Sequence, residues 1–341
     1  MSRFLDALSG KNYDSIPVWF MRQAGRYLPS YQKIRSEHSL LEMFKNPHLA
    51  SQITLLPFDD LDLDAAIIFS DILVVFEALG FSVDYPLTSG PKVMAPDNVQ
   101  DILSSIKLKS LETSLGYVFE SLTLVKPKLH VPILGFCGSP FTLLAYLLER
   151  PMNDEIRSVK KALYETPELC HNLLGILTEI LKEYATLQIK AGADAFQIFD
   201  TASTWLSDKA FEEFSFPYTK QLVEHLALLN IHSLVFSKSS LSRLKFYNTL
   251  ALSVLSVDWT CSYQIIRQNL NPKIALQGNL DPFLTTLEFT HIEKELEGIL
   301  DEVGPCPQFI FNLGHGVLPQ TRLDTLQKMI RTLRQKQPVA L

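Results

Sequence analysis

Cysteine is scarce. The 341 residues contain four, Cys137, Cys170, Cys261 and Cys306, and none stands in a C-x-x-C or H-x-C arrangement. That spacing speaks against a zinc or redox motif and for free thiols in a reducing, cytoplasmic compartment. Long apolar runs are also missing. The best stretch, residues 65–81, is interrupted by Ser70, Asp71 and Glu77, short of the roughly 18 residues a membrane span needs. Residues 1–11 carry Arg3 and Asp6 without an apolar core, so no secretory signal is expected. Basic charge is in deficit, with Lys plus Arg at 31 against 37 for Asp plus Glu and a net charge of −6. No basic stripe of the kind nucleic-acid binders use is present, so an anionic ligand must be met by a local cluster of arginines. Neither G-x-G-x-x-G nor the P-loop pattern occurs, and there is no G-x-S-x-G nucleophile elbow. Fixed-period repeats, low-complexity tracts and Pro/Gly/Ser-rich linkers are absent too.

What remains is a globular composition, 47% apolar and 20% charged, with a mean hydropathy of +0.10, and a length that suits one large domain or two ordinary ones. Eight short apolar, β-branched or aromatic runs recur along it: 17–20 (PVWF), 65–69 (AAIIF), 131–136 (VPILGF), 194–199 (DAFQIF), 232–236 (HSLVF), 252–257 (LSVLSV), 273–276 (KIAL) and 308–311 (QFIF). Helical periodicity separates them. One helix is expected over residues 167–191, with Thr166 capping and Pro167 at its first position, and another over 211–229. Alternating strands and helices predict parallel β/α units, and eight of them predict a closed (β/α)8 barrel. The early gaps are long enough for extra helices.

In such a barrel, chemistry sits on the loops after the strands. Those loops read MRQAGR (21–26), SD (70–71), CGSPF (137–141), DT (200–201), SKSS (237–240), DWT (258–260), QGN (277–279) and NLGHG (312–316). Arg22 and Arg26 flank Gln23, Ala24 and Gly25, which reads either as a solvated loop whose arginines pair with surface acids or as a site for carboxylates or phosphates, the small Ala-Gly pair favouring a ligand because it lets backbone N–H groups approach an anion. Asp71 reads first as an N-cap before an apolar helix and second as a carboxylate that could offset a cationic intermediate. Tyr146 reads as a core tyrosine with its hydroxyl at the edge. Thr201 is a cap or a ligand contact. His315, between two glycines, has little packing reason to be there and is read as functional. The residues alone describe a cofactor-free barrel enzyme acting on an anionic small molecule.

Longer motifs are more specific. PVWFMRQAGRYLPSY (17–31) and GFCGSPFTLLAYLLE (135–149) resemble the two signatures of the uroporphyrinogen decarboxylase family. FSDIL (69–73), FDT (199–201), LQGNLDP (276–282) and NLGHG (312–316) follow in that family's order. The resemblance runs over about residues 3–335. It implies a single-domain (β/α)8 TIM barrel over residues 1–341, usually a homodimer. It implies conversion of the four acetates of uroporphyrinogen III to methyl groups, giving coproporphyrinogen III and four CO2 without metal or organic cofactor. Carried over by position, the resemblance makes Asp71 and Arg22 catalytic. It makes Arg22, Gln23, Ala24, Gly25, Arg26, Asp71, Tyr146, Thr201 and His315 substrate-binding. Two loops depart from the family pattern: Ala202, Ser203 and Thr204 stand where Trp and Gly are common, with Trp205 displaced, and Ser239 and Ser240 follow Lys238 where Gly is frequent. Two rival readings remain. A zinc-dependent, corrinoid-linked methyltransferase of the same superfamily needs H-x-C and a later Cys, where this chain has Gly-His315-Gly. A non-catalytic tetrapyrrole-binding protein is separated only by assay.

Overall fold

The computed structural model describes residues 2–11, 15–86, 90–150, 152–153, 155–238, 240–304 and 306–335. Ser239 lies outside the described residues. Seven strands form one parallel sheet: β1 (Ala66–Ile67), β4 (Ile133–Gly138), β5 (Ala195–Asp200), β6 (His232–Ser237), β7 (Val254–Val257), β8 (Ala275–Leu280) and β9 (Phe309–Leu313), in that spatial order. A separate antiparallel ribbon, β2 (Ser82–Asp84) and β3 (Lys92–Met94), fills part of the long gap after β1. Registers such as Leu134 with Ala195 and Leu276 with Phe309 hold the parallel ladder. Helices cover the sheet, so the strands are buried almost throughout and read as apolar runs rather than alternating ones.

The sheet curls strongly. Gln277 of β8 accepts from the Trp19 indole at 2.7 Å, and its amide donates to Ser256 of β7 at 2.9 Å and towards Gln197 of β5 at 3.5 Å. Strands three places apart in the order therefore share one polar cluster on the concave side.

The expected first strand, 17–20, is not one. Val18 makes a single parallel bridge to Phe311 of β9. Pro17 has no N–H to add to a ladder, and the Val18 N–H is taken at 2.7 Å by the Asp64 carboxylate. Around it, Phe311 N–H donates to Pro17 O and Asp64 N–H to Val18 O, each at 2.8 Å. Eight parallel strands were expected, and among the described residues the parallel sheet has seven plus this bridge.

Two helix expectations also change. The helix Pro167–Lys190 starts as read, but Thr166 does not cap it. Its hydroxyl donates back to Ala162 O at 3.1 Å, in the last turn of the preceding helix. The stretch 211–229 is two helices, Asp208–Phe214 and Phe216–Leu228, broken at Ser215. Pro217 cannot donate to the carbonyl four residues back, and its ring crowds it. Buried apolar residues from Phe4 to Leu333 form one contiguous core. No helix among the described residues is long and apolar enough to cross a membrane.

Candidate active site

The loop after the Val18 segment is held by a dense set of hydrogen bonds. Gln23 is almost wholly buried, and its side-chain oxygen accepts from Phe20 N–H while its amide donates to Ala65 O, both at 3.2 Å. Tyr27 donates to Gln23 O at 2.7 Å. Met21 N–H reaches Asn312 of β9 at 3.2 Å, and Val317 N–H donates to Met21 O at 2.8 Å. Bracing of this density holds Arg22 at a left-handed φ of 61°, a conformation that costs a non-glycine residue on the order of 1 kcal/mol. Gln23 thus spends its side chain on backbone groups and positions the loop.

The Arg22 stem lies across Gly316. A Cβ there would stand 2.5 Å from Arg22 Cδ and 2.8 Å from Cγ. One at Gly314 would stand 2.7 Å from the Trp259 nitrogen. Both glycines flanking His315 are therefore needed for close approach. Gly316→Ala should displace the Arg22 guanidinium without changing any charge. The expected result is a raised KM and a reduced kcat with a melting temperature within a few degrees of wild type, read by saturation kinetics and thermal melting.

Asp71 follows β1 and does cap: its carboxylate accepts from Leu73 N–H at 2.8 Å, at the start of the 3-10 helix Ile72–Leu79. It also does more. Burial pushes its carboxyl above the usual carboxylate range, while the Leu73 bond, the positive charge of Arg22 and the Tyr85 hydroxyl pull it back. Tyr146 lies on the helix Pro140–Leu148 after β4. Its phenol is pushed up mainly by burial and then by Asp71, with Arg22 opposing. Arg22 from the first loop, Asp71 from the segment after β1 and Tyr146 from the helix after β4 share one field.

His315 joins them from the loop after β9. Its ring stands edge-on to Phe236 of β6, with centroids 5.7 Å apart. Burial, then Arg22 and Lys238, lower its pKa from 6.5 to about 4. At neutral pH it is an uncharged imidazole beside two cations. Because its folded pKa lies below its unfolded value, the unfolded chain binds more protons between about pH 4 and 6.5, and His315 destabilises the fold progressively as pH falls through that window. At about 1.4 kcal/mol per pH unit, discounted for partial exposure, the loss is on the order of 2 kcal/mol. His315→Asn should flatten the stability-versus-pH slope there relative to wild type, as measured by urea unfolding at pH 6.5 and 4.5. Equal slopes would refute it.

Other expected residues are placed differently. Arg26, exposed like Arg22, acts on Tyr31 rather than on the Asp71 group. Ala24 and Gly25 are half-buried in the turn. Thr201 is half-buried at the end of β5, next to Asp200. Asp200 itself is fully buried. Ser139 and Thr142 donate to it at 2.7 and 3.3 Å, and Ser215 at 3.4 Å, so it ties the loops after β4 and β5 together. Lys238 is the residue that sequence reasoning passed over. Its signal was its place directly after β6 in SKSS.

The opposite end of the sheet is a poor rival. A cleft of about 700 Å3 before β1 and β4 is lined by Asp59, Asp60 and Asp62 among others, which repel an anion. Among the described residues, no group of three or more His, Cys, Asp or Glu side chains is arranged to hold a metal ion.

A sequence profile for "Uroporphyrinogen decarboxylase (URO-D)" matches residues 1–336. A uroporphyrinogen decarboxylase of Citrifermentans bemidjiense is 40% identical over 93% of this chain and 94% of its own length. That of Pelobacter propionicus is 37% identical over 98% of each. Among solved structures, a methyltransferase from Methanosarcina mazei superposes with a TM-score of 0.81 at 20% identity, covering 98% of this chain and 97% of its own. That likeness is one of fold.

Proposed function

The chain belongs to the uroporphyrinogen decarboxylase family, and on that premise we propose that its strand-end site decarboxylates the four acetate side chains of uroporphyrinogen III, yielding coproporphyrinogen III. Each step consumes one proton and releases one CO2: R–CH2–COO⁻ + H⁺ → R–CH3 + CO2. The electrons of the breaking C–C bond need a sink, and protonation of the pyrrole carbon next to the acetate supplies one by making the ring an iminium cation. After CO2 leaves, a proton on the exocyclic carbon and loss of the ring proton restore the pyrrole.

The observation that carries this reading is Asp71, a half-buried carboxylate that shares one electrostatic field with the Arg22 guanidinium and the Tyr146 phenol. Its role is to accept the pyrrole N–H groups and offset the iminium charge, an electrostatic stabilisation set in place before the reaction. Arg22 holds the reacting acetate. It is a proton donor only if strongly perturbed, since guanidinium is a very weak acid. Arg26 takes a more distant carboxylate, neutral His315 donates a hydrogen bond to another, and Tyr146 and Thr201 add further bonds. The Ala24–Gly25 backbone lets the substrate approach, and Gln23 keeps that backbone in place.

Finer features belong to the same proposal. The bonds from Val18 to Phe311 and Asp64 support treating residues 17–20 as an eighth stave that closes the barrel. The contiguous core supports one catalytic domain over residues 1–341. Exposed Trp259 and Phe283, following β7 and β8, support a homodimer through the strand-end rim. The absence of a disulfide among Cys137, Cys170, Cys261 and Cys306 fits a cytoplasmic enzyme, and the net charge of −6 fits a protein that does not bind nucleic acid.

The test is anaerobic incubation with uroporphyrinogen III and separation of products by carboxyl number. Stepwise appearance of hepta- to tetracarboxylic species is expected, with full activity after dialysis against a strong chelator. Binding without conversion would reduce the protein to a tetrapyrrole carrier, and activity lost to the chelator and restored by zinc would overturn a cofactor-free reaction.

A further inference from the structure

The end of β5 carries a carboxylate that the reaction as written does not use. Strand residues alternate between faces, and Gln197 of β5 lies in the polar cluster on the concave side. Asp200, three residues on, therefore faces the covering helices. It is wholly buried and out of reach of a ligand on the concave side, so any part it plays is played through other groups.

Those groups lie on two neighbouring loops. One Asp200 oxygen, Oδ1, accepts from the Ser139 hydroxyl at 2.7 Å and from the Thr142 hydroxyl at 3.3 Å. The two hydroxyl oxygens stand 3.0 Å apart. With their protons turned to Asp200, both are left as acceptors for the backbone. Ser139 Oγ takes Thr142 N–H at 3.1 Å, and Thr142 Oγ1 takes Ala202 N–H at 3.2 Å. Ser139 caps the helix Pro140–Leu148, which carries Tyr146. Ala202 opens the 3-10 turn Ala202–Trp205, directly after Thr201. The carboxylate thus orders a chain of bonds with the Tyr146 helix at one end and the backbone beside Thr201 at the other. Its second oxygen is reached by Ser215 Oγ at 3.4 Å, from the break between the helices Asp208–Phe214 and Phe216–Leu228.

We propose that Asp200 is a positioning residue: as a hydrogen-bond acceptor behind the site, it sets the spacing between Tyr146 and Thr201, two substrate contacts on different loops. This inference rests on the function proposed above and adds a residue to it. A hydroxyl proton can rotate to suit its surroundings, and a buried one without an acceptor is costly. Asp200 takes both protons, so Ser139 and Thr142 present lone pairs to the two N–H groups. Without that acceptor the Thr142 hydroxyl is free to turn away from Ala202 N–H, and the two loops lose their common anchor.

The test begins with Asp200→Leu, which keeps the bulk and removes the acceptor. KM should rise about tenfold while kcat falls by less than about threefold, since Arg22 and Asp71 are untouched. Asp200→Asn, whose amide oxygen can still accept from both hydroxyls, should rescue KM to within about twofold of wild type. Thr142→Val breaks the same chain one bond further on and carries the test if Asp200→Leu does not fold. It should raise KM about tenfold in the wild-type background, but by less than about twofold in a Tyr146→Phe/Thr201→Val background, where the hydroxyls it spaces are gone. A brace with no role in binding would lower the melting temperature and change KM equally in both backgrounds. An unmoved KM, an Asp200→Asn enzyme as poor as Asp200→Leu, or equal Thr142→Val effects in the two backgrounds overturns the proposal. A wild-type protein that makes no product overturns the decarboxylase reading instead. In that event the Tyr146–Thr201 separation in crystals of wild type and Thr142→Val decides, and an unchanged separation overturns the positioning role.

Discussion

Asp71→Asn should abolish most turnover and leave the fold intact. Asn keeps the shape and can still accept from Leu73 N–H, now at 2.8 Å from the carboxylate, so the cap of the helix Ile72–Leu79 survives. Burial already disfavours the charged carboxylate, so a neutral amide removes a desolvation cost and the melting temperature should hold or rise. What disappears is the negative charge opposite the developing iminium. A preorganised charge of this kind is worth on the order of 10²–10³ in kcat. The ground-state substrate carries no such cation, so KM should change by no more than a few-fold. Single-turnover product analysis decides the matter, and near-wild-type turnover would leave Asp71 a helix cap and nothing more.

The same residue shows what was legible in the sequence and what was not. Asp71 has one signature in sequence, an acid before an apolar run, and two physical roles that share it. The cap is local and follows from Ser70-Asp71-Ile72 directly. The field of Arg22, 49 positions earlier, exists only once β1 and the Val18 segment are brought side by side. The strand-end loops were legible because buried parallel strands are apolar along their whole length, and polar residues mark where each one stops. The first strand was over-read because PVWF has strand composition, yet Pro17 has no N–H and the Val18 N–H goes to the Asp64 side chain, which leaves a single bridge to β9 in place of a ladder. Gln23 sat in the right motif, but sequence could not show its amide turning inward to Ala65 and Phe20.

The two arginines of the first loop should separate in kinetics, although sequence presents them as a pair. Both residues are exposed, but Arg22 acts on Asp71, Tyr146 and His315 together, whereas Arg26 acts on Tyr31. Arg26→Ala should therefore raise KM and spare kcat, losing roughly the 1.5–3 kcal/mol of a charge-assisted hydrogen bond to one substrate carboxylate. Arg22→Ala should raise KM and depress kcat as well, because the residue that holds the reacting acetate also sets the charge state of its neighbours. Its positive charge lowers the pKa of both Asp71 and His315, so removing it lets both rise. More Asp71 is then neutral at a given pH, and the acid limb of the activity profile moves upward in Arg22→Ala but not in Arg26→Ala. Lysine should rescue only partly at position 22, since it restores the charge without the planar fork that matches a carboxylate. The Lys variant should thus recover the position of the acid limb more fully than it recovers KM. Identical kinetics and identical pH limbs for the two alanine variants would mean that the loop acts as one undifferentiated patch of positive charge, and would remove Arg22 from the catalytic group.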